Sequence, residues 1–337
     1  MSPSEALELL TGGYLSASES SSLFRLFTSG ALSDVQAAGL LAALKIRGET
    51  GELLHGAAEA LLEAAVPFPR PGYPFADCCG TGGDGIGTVN ISTAAMFVIA
   101  AGGVPVAKHG NHAISSRSGS TDVLSALGSE VSCPPALARA SLDRCGIAYL
   151  HAPLYHPVLA RLAPVRRELG TRTVFNLLGP LLNPARPPIR LIGVYAPSLV
   201  LPVARALARS GCASGLVVHG GGLDEIALHG PTTAARVLDG RVTSMTIRPE
   251  DAGLKRASVE SLRGGTPAEN AQWLTELLEG RGREDHAAAV AINAGAVLWL
   301  AGRAATLRAA SSEALGIIRS GEALRRLRHF TAISHGT

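Results

Sequence analysis

Lysine is scarce in this chain. Only Lys45, Lys108 and Lys255 accompany the arginines among 30 basic residues, and 27 acidic residues leave a net charge of +3. A balance that weak excludes a strong basic field for nucleic acid, and an aromatic content of 4% offers few stacking platforms for bases. Cysteine is sparse too: Cys78, Cys79, Cys133, Cys145 and Cys212 form an odd set without a C-x-x-C spacing. That pattern indicates neither a disulfide framework nor a zinc site, so a reduced, cytoplasmic chain is expected. Long apolar runs are missing as well. The uncharged, Ala-rich stretch Ala287 to Gly302 has 16 residues, short of the roughly 20 that cross a bilayer. No basic-then-apolar leader opens the sequence, because Met1 to Leu10 reads as a capped amphipathic helix. Neither a membrane nor a nucleic acid is therefore an expected partner.

What remains is a chain of 337 residues with 47% hydrophobic and 17% charged residues, enough for about two globular domains. From Ser4 to about Ala65 the apolar residues recur at helical spacing, and Ser33 to Gln36 forms a capping box, which predicts four short helices. Pro67, Pro69, Pro71, Gly72 and Pro74 then break helix within eight residues. Beyond them, strand candidates (Ala76 to Cys79, Val104 to Ala107, Ala148 to Leu150, Leu191 to Tyr195, Gly215 to His219) alternate with helical stretches. This predicts an α/β fold: a small helical domain plus a larger α/β domain with a mainly parallel sheet. The boundaries read as residues 1–70 for the small domain, with an excursion near 164–188 joining it, and 74–163 with 189–337 for the large one.

Gly80-Thr81-Gly82-Gly83-Asp84-Gly85 follows a strand candidate and formally satisfies a dinucleotide-binding fingerprint. That fingerprint needs an acidic residue about 20 positions on to hold a ribose, yet no Asp or Glu occurs between Asp84 and Asp122. Asn90-Ile91-Ser92-Thr93 instead opens an apolar helix, where hydroxyls and free N–H groups suit an anion. Lys108, Arg117 and several hydroxyls and glycines follow before Thr121. Such a basin, free of competing carboxylates, fits a multiply charged phosphate ligand. Asp224 and Glu225 sit in the glycine-rich stretch Gly220 to Gly230. On a turn both can face one hard cation, and magnesium fits better than calcium, for which too few oxygens are offered.

Taken together, Gly80 to Gly85, Asn90 to Thr93, Lys108 to Ser120, Ala163 to Gly170, Phe175 to Pro184 and Leu223 to Gly230 closely resemble the anthranilate phosphoribosyltransferases. The resemblance implies transfer of the phosphoribosyl group of 5-phosphoribosyl 1-pyrophosphate to the amine of anthranilate in tryptophan biosynthesis, with Mg2+ as cofactor, by a homodimer. It implies phosphoribosyl pyrophosphate contacts from Gly80, Gly83, Asp84, Thr88, Asn90, Ile91, Ser92, Thr93, Lys108, His109, Gly110, Asn111, His112, Ser115, Ser116 and Ser120. Gly80, Asn111 and Arg166 would contact anthranilate, while Ser92, Asp224 and Glu225 would serve the metal. No residue is assigned as general acid or base, since an aromatic amine is already unprotonated at neutral pH. One departure stands out: the family pattern has arginine where this chain has His112, which exchanges a permanently charged fork for an imidazole. Two other readings remain open at this level, a pyrimidine nucleoside phosphorylase and a non-catalytic nucleic-acid-binding relative.

Overall fold

The computed structural model describes residues 1–113 and 117–336. The chain begins with α1 (Pro3–Thr11), α2 (Ala17–Ser29), α3 (Asp34–Arg47) and α4 (Gly51–Glu63). Local chemistry sets these boundaries. Ser2, Ser16 and Ser33 each close a capping box with Glu5, Glu19 and Gln36, and Thr50 caps α4. Helices α2 and α4 cross closely at Gly56, where a Cβ would stand 2.1 Å from Ala17 O. Leu23, Phe24, Phe27, Leu53, Leu54 and Leu61 fill the space between them.

The remainder is built on β1 (Ala76–Gly80), α5 (Ile91–Ala101), β2 (Val106–Gly110), α6 (Ser120–Ala126), α7 (Pro135–Cys145), β3 (Ile147–His151), α8 (Ala152–Tyr155), α9 (Leu162–Leu169), α10 (Phe175–Leu178), β4 (Ile189–Gly193), α11 (Val200–Arg209), β5 (Ser214–His219), β6 (Thr232–Leu238), β7 (Arg241–Ile247), α12 (Pro267–Leu278), α13 (Glu284–Leu300), α14 (Leu307–Ser320) and α15 (Glu322–Ser334). One seven-stranded sheet runs in the order β3-β2-β1-β4-β5-β6-β7. The first five strands in that order are mutually parallel, and β6 and β7 pair antiparallel. The hairpin β6–β7 lies outside the five strands expected from the sequence. Its signal is Asp239-Gly240, both at positive φ (47° and 78°), the two-residue turn that joins antiparallel strands.

Helix α5 is buried almost all round, which is why its sequence ISTAAMFVIAA carries no amphipathic stripe. It shares one core with α13, α15 and the inward residues Cys78, Val106, Ile147, Leu191 and Leu216 of the sheet. On the other sheet face, Ile192 and Val217 join a second core with α1–α4 and α11. Leu162, Val165, Phe175, Leu177 and Leu178 of the excursion pack into that same second core. Among the described residues no helix is long and apolar enough to cross a membrane.

Candidate functional site

The order of the strands locates the site. Successive strands from β1 proceed outward through β2 and β3, then the chain returns to β4 on the other side of β1. A crevice opens at the carboxyl ends of such a switch point, where ligands bind in open α/β sheets. Here those ends are Gly80 and Gly193, directly paired in register. Both lack a side chain for a reason that the structure makes explicit: a Cβ on Gly193 would meet Asp224 O at 1.5 Å, and one on Gly80 would meet Asp224 Oδ2 at 2.0 Å. The turn carrying Asp224 and Glu225 thus presses its main chain onto the sheet ends.

Three residues outside the predicted set hold that turn. Asn293, buried on α13, accepts from Ile226 N at 3.0 Å through Oδ1 and donates Nδ2 to Ile226 O at 3.2 Å. Thr232 Oγ1 accepts from Ala227 N at 3.0 Å. His219 Nδ1 lies 2.8 Å from Val194 O, and its Nε2 accepts from Gly222 N at 3.0 Å, which assigns the ring proton to Nδ1. Asn293 is the residue whose signal was available, as a polar side chain inside an otherwise apolar helix.

Around the turn the chemistry is dense. Gly82 N donates to Asp224 Oδ2 at 2.6 Å, and Ile86 N donates to Asp84 Oδ1 at 3.1 Å. Gly82, Gly83, Gly85 and Gly87 all lie at positive φ, from 66° to 78°, a run of left-handed residues that only glycine adopts without strain. Lys108 is buried on β2, donates to Cys78 O, and reaches Ser92 Oγ at 3.2 Å. Burial pushes Glu225 up to about 8, assisted by the negative charges of Asp224 and Asp84 and opposed by Lys108 and the Ser92 amide. Burial and Asp84 likewise raise Asp224. Burial thus disfavours the charged form of both carboxylates, and Lys108 offsets only part of that on Glu225.

Among the described residues no set of three or more His, Cys, Asp or Glu side chains could hold a metal unaided. Asp224, Glu225 and the Ser92 hydroxyl nevertheless suit an ion that takes one or two carboxylates, keeps waters and binds ligand phosphates, which is the coordination habit of Mg2+.

The other predicted residues divide. Ile91, Ser92 and Thr93 form the first turn of α5, with Asn90 at its N-cap making no capping bond. Thr88 pairs with Arg263 in an isolated antiparallel bridge. Ser120 Oγ, 3.0 Å from Tyr149 Oη, backs onto Gly110, where a Cβ would lie 2.4 Å from that hydroxyl. Asn111 is exposed, and its O accepts from Thr121 N at 3.2 Å. His109 faces away from Lys108, across β2, with Nδ1 3.2 Å from Gly179 O. The His112 ring turns to Asp122, with Nδ1 2.6 Å from Oδ1. Ser115 and Ser116 lie outside the described residues. Arg166 on α9 is half-buried above the Phe175 ring at 5.7 Å, with Asn176 Oδ1 at 3.4 Å. No carboxylate pairs with it among the described residues. Arg172, beyond α9, donates to Gly83 O and stacks at 4.5 Å on Tyr195, bringing the excursion to the glycine loop.

Comparison with known proteins agrees with this arrangement. Residues 72–324 match the model described as "Glycosyl transferase family, a/b domain", and residues 6–65 match "Glycosyl transferase family, helical bundle domain". The chain is 53% identical over 326 residues to the anthranilate phosphoribosyltransferase of Sorangium cellulosum, covering 97% of this chain and 94% of that one. It is 47% identical over 327 residues to the enzyme of Aeromonas salmonicida, covering 97% of each. Among solved structures, the crystal structure of the Thermus thermophilus anthranilate phosphoribosyltransferase superposes with a TM-score of 0.92 at 44% identity, covering 98% of this chain and 99% of that one. The Saccharomyces cerevisiae enzyme in complex with PRPP and Mg superposes with a TM-score of 0.90 at 26% identity, covering 99% and 98%.

Proposed function

Because the chain belongs to the anthranilate phosphoribosyltransferase family, we propose that it transfers the phosphoribosyl group of 5-phosphoribosyl 1-pyrophosphate to the amine of anthranilate and releases pyrophosphate. The observation that carries this reading is the meeting, at one crevice, of the Asp224–Glu225 turn, the glycine loop and the Lys108–Ser92 contact at the start of α5. Asp224, Glu225 and Ser92 would hold Mg2+, which supplies positive charge to the pyrophosphate.

The chain's own groups do the rest. Backbone N–H groups of the glycine loop and of the first turn of α5 bind phosphate oxygens, with the helix dipole behind them. Lys108 is bound to Ser92 Oγ and keeps that hydroxyl oriented. Arg166, which has no carboxylate partner among the described residues, receives the anthranilate carboxylate with its planar fork. Attack by the amine on C1 of the ribose, with inversion and oxocarbenium character, then needs charge stabilisation and positioning rather than a nucleophilic side chain. Residues 1–70 with the excursion near 164–188 act as the small domain against the large one, and the working form is a cytoplasmic homodimer.

The deciding experiment follows the fluorescence of anthranilate with phosphoribosyl pyrophosphate and Mg2+. Loss of signal that requires all three components supports the reading. A folded protein that leaves anthranilate unchanged overturns it.

A further inference from the structure

Asn90 stands at the N-cap of α5, where an asparagine ordinarily folds its side chain onto the helix's first N–H groups. It does not do so here. Its amide is turned sideways, with Nδ2 donating to Ser118 O at 3.1 Å and Oδ1 accepting from Asn270 Nδ2 at 2.7 Å. Ser118 Oγ completes the set at 3.4 Å from Oδ1.

Asn270 lies 180 positions away on α12 and is 3% exposed. Its Oδ1 accepts from Gly265 N at 2.8 Å, so a single buried amide ties two backbone segments together. Those segments also pair directly: Val89 N donates to Leu262 O at 2.9 Å, and Gly264 N to Gly87 O at 2.8 Å. The approach is tight enough that a Cβ on Gly264 would meet Thr88 O at 2.5 Å. The segment 262–265 and α12 therefore form a back wall for residues 87–90.

We propose that Asn270 is a positioning residue for the phosphoribosyl pyrophosphate site. By engaging Asn90 from behind, it keeps the Asn90 side chain off the end of α5, where Ile91 N is already bound to Val89 O at 2.7 Å, and so leaves the Thr93 N–H to phosphate. This rests on the proposed activity, and it adds a residue from a helix that contributes no other group to the crevice. The physical warrant is competition: an Asn90 amide free to rotate would cap its own helix and occupy donors that the ligand needs.

The test is a kinetic comparison of wild type, Asn270→Ala, Asn270→Asp and the double variant Asn90→Ala with Asn270→Ala, alongside Asn90→Ala alone. Asn270→Asp keeps an acceptor for Gly265 N and replaces the donor to Asn90 by a carboxylate oxygen, so it breaks that contact without opening a cavity if Asn270→Ala folds poorly. The expected result is a KM for phosphoribosyl pyrophosphate raised about three- to tenfold, the size of one lost hydrogen bond, with the KM for anthranilate unchanged. Because Asn270 acts through Asn90, the double variant should match Asn90→Ala rather than multiply the two effects. Equal changes in both KM values, multiplying effects, or an unaltered KM for phosphoribosyl pyrophosphate in Asn270→Asp would overturn the proposal. Wild-type turnover in the same series separates that failure from failure of the activity itself.

Discussion

The amide of Gly82 donates to Asp224 Oδ2 at 2.6 Å across 142 positions of sequence. This bond joins the glycine loop after β1 to the acidic turn after β5. It explains why a glycine-rich segment and an Asp-Glu pair so far apart belong to one site. It also means that the loop is shaped partly by the carboxylate, so loss of the carboxylate's charge will be felt by the loop.

The first prediction concerns that charge. Asp224→Asn with Glu225→Gln should lower kcat/KM by about a hundredfold or more, the scale on which preorganised charge stabilisation acts. The melting temperature should hold or rise, because the raised affinity of both groups for protons shows that burial disfavours their charges. Steady-state kinetics at saturating Mg2+ and a thermal melt check both halves. Near-normal turnover would remove the carboxylates from the reaction.

Gly193 offers a steric test. A Cβ there would stand 1.5 Å from Asp224 O, so Gly193→Ala must push the acidic turn away from the sheet. We expect a loss of about 1–3 kcal/mol in stability from overpacking together with a collapse in activity. Gly316 on the exposed face of α14 has nothing within 4 Å of a built Cβ, and Gly316→Ala should stabilise by roughly 0.5–1 kcal/mol. Denaturant titrations of the two variants should therefore move in opposite directions.

Arg166 carries the specificity prediction. With only a long contact to Asn176 and the Phe175 face beneath it, the guanidinium is positioned without being neutralised. Arg166→Ala should raise the KM for anthranilate at least about tenfold, as expected for a charge-assisted pair, and leave that for phosphoribosyl pyrophosphate within about twofold. Equal effects on the two substrates would make Arg166 a structural residue.

A fourth expectation concerns stability and pH. Burial, then the neighbouring His156, holds His109 well below its ordinary value of 6.5. In the unfolded chain the same imidazole takes up a proton at its ordinary value, so the unfolded state binds more protons once the pH drops below 6.5. Folding stability from this residue is complete above that point and is lost as the pH falls toward the folded-state value. His156, His151 and His286 are lowered mainly by burial as well, so the slopes add. Melting temperatures measured between about pH 5 and 8 should fall on the acid side, and His109→Gln should flatten part of that slope. A profile unchanged by that substitution would assign the acid sensitivity elsewhere.

Much of this architecture is legible in the sequence. Ser33 and Gln36 announced the start of α3, and the shift from helical spacing to short apolar runs after Pro74 announced the sheet. Two kinds of feature were not legible. Hairpin β6–β7 ends at the sheet edge with an exposed outer strand, so its apolar alternation is diluted and only Asp239-Gly240 marks it. Asn270 and His219 act through contacts between distant segments, and spacing along the chain carries no trace of such contacts; Asn293 differs only in standing out as a polar side chain in the apolar part of its helix. The Asp122 contact of His112 is of the same kind: its Nδ1 lies 2.6 Å from Oδ1, and Asp122 also accepts from Gly119 N at 2.8 Å and Ala113 N at 3.0 Å. The identity of a residue fixes what it offers, and packing decides to whom.

The five cysteines have a practical consequence. All are free thiols, four of them buried, and burial pushes Cys78 up to about 12 and Cys133 up to about 11, with Cys79, Cys145 and Cys212 raised as well. Thiolate is the reactive form, so the native protein is expected to resist alkylating reagents at neutral pH, with modification following only when the chain opens. Cys78 and Cys79 lie in the strand beneath the crevice and Cys145 at the end of α7. Mass shifts at these positions would act as clocks for the opening of separate parts of the molecule, with no label introduced.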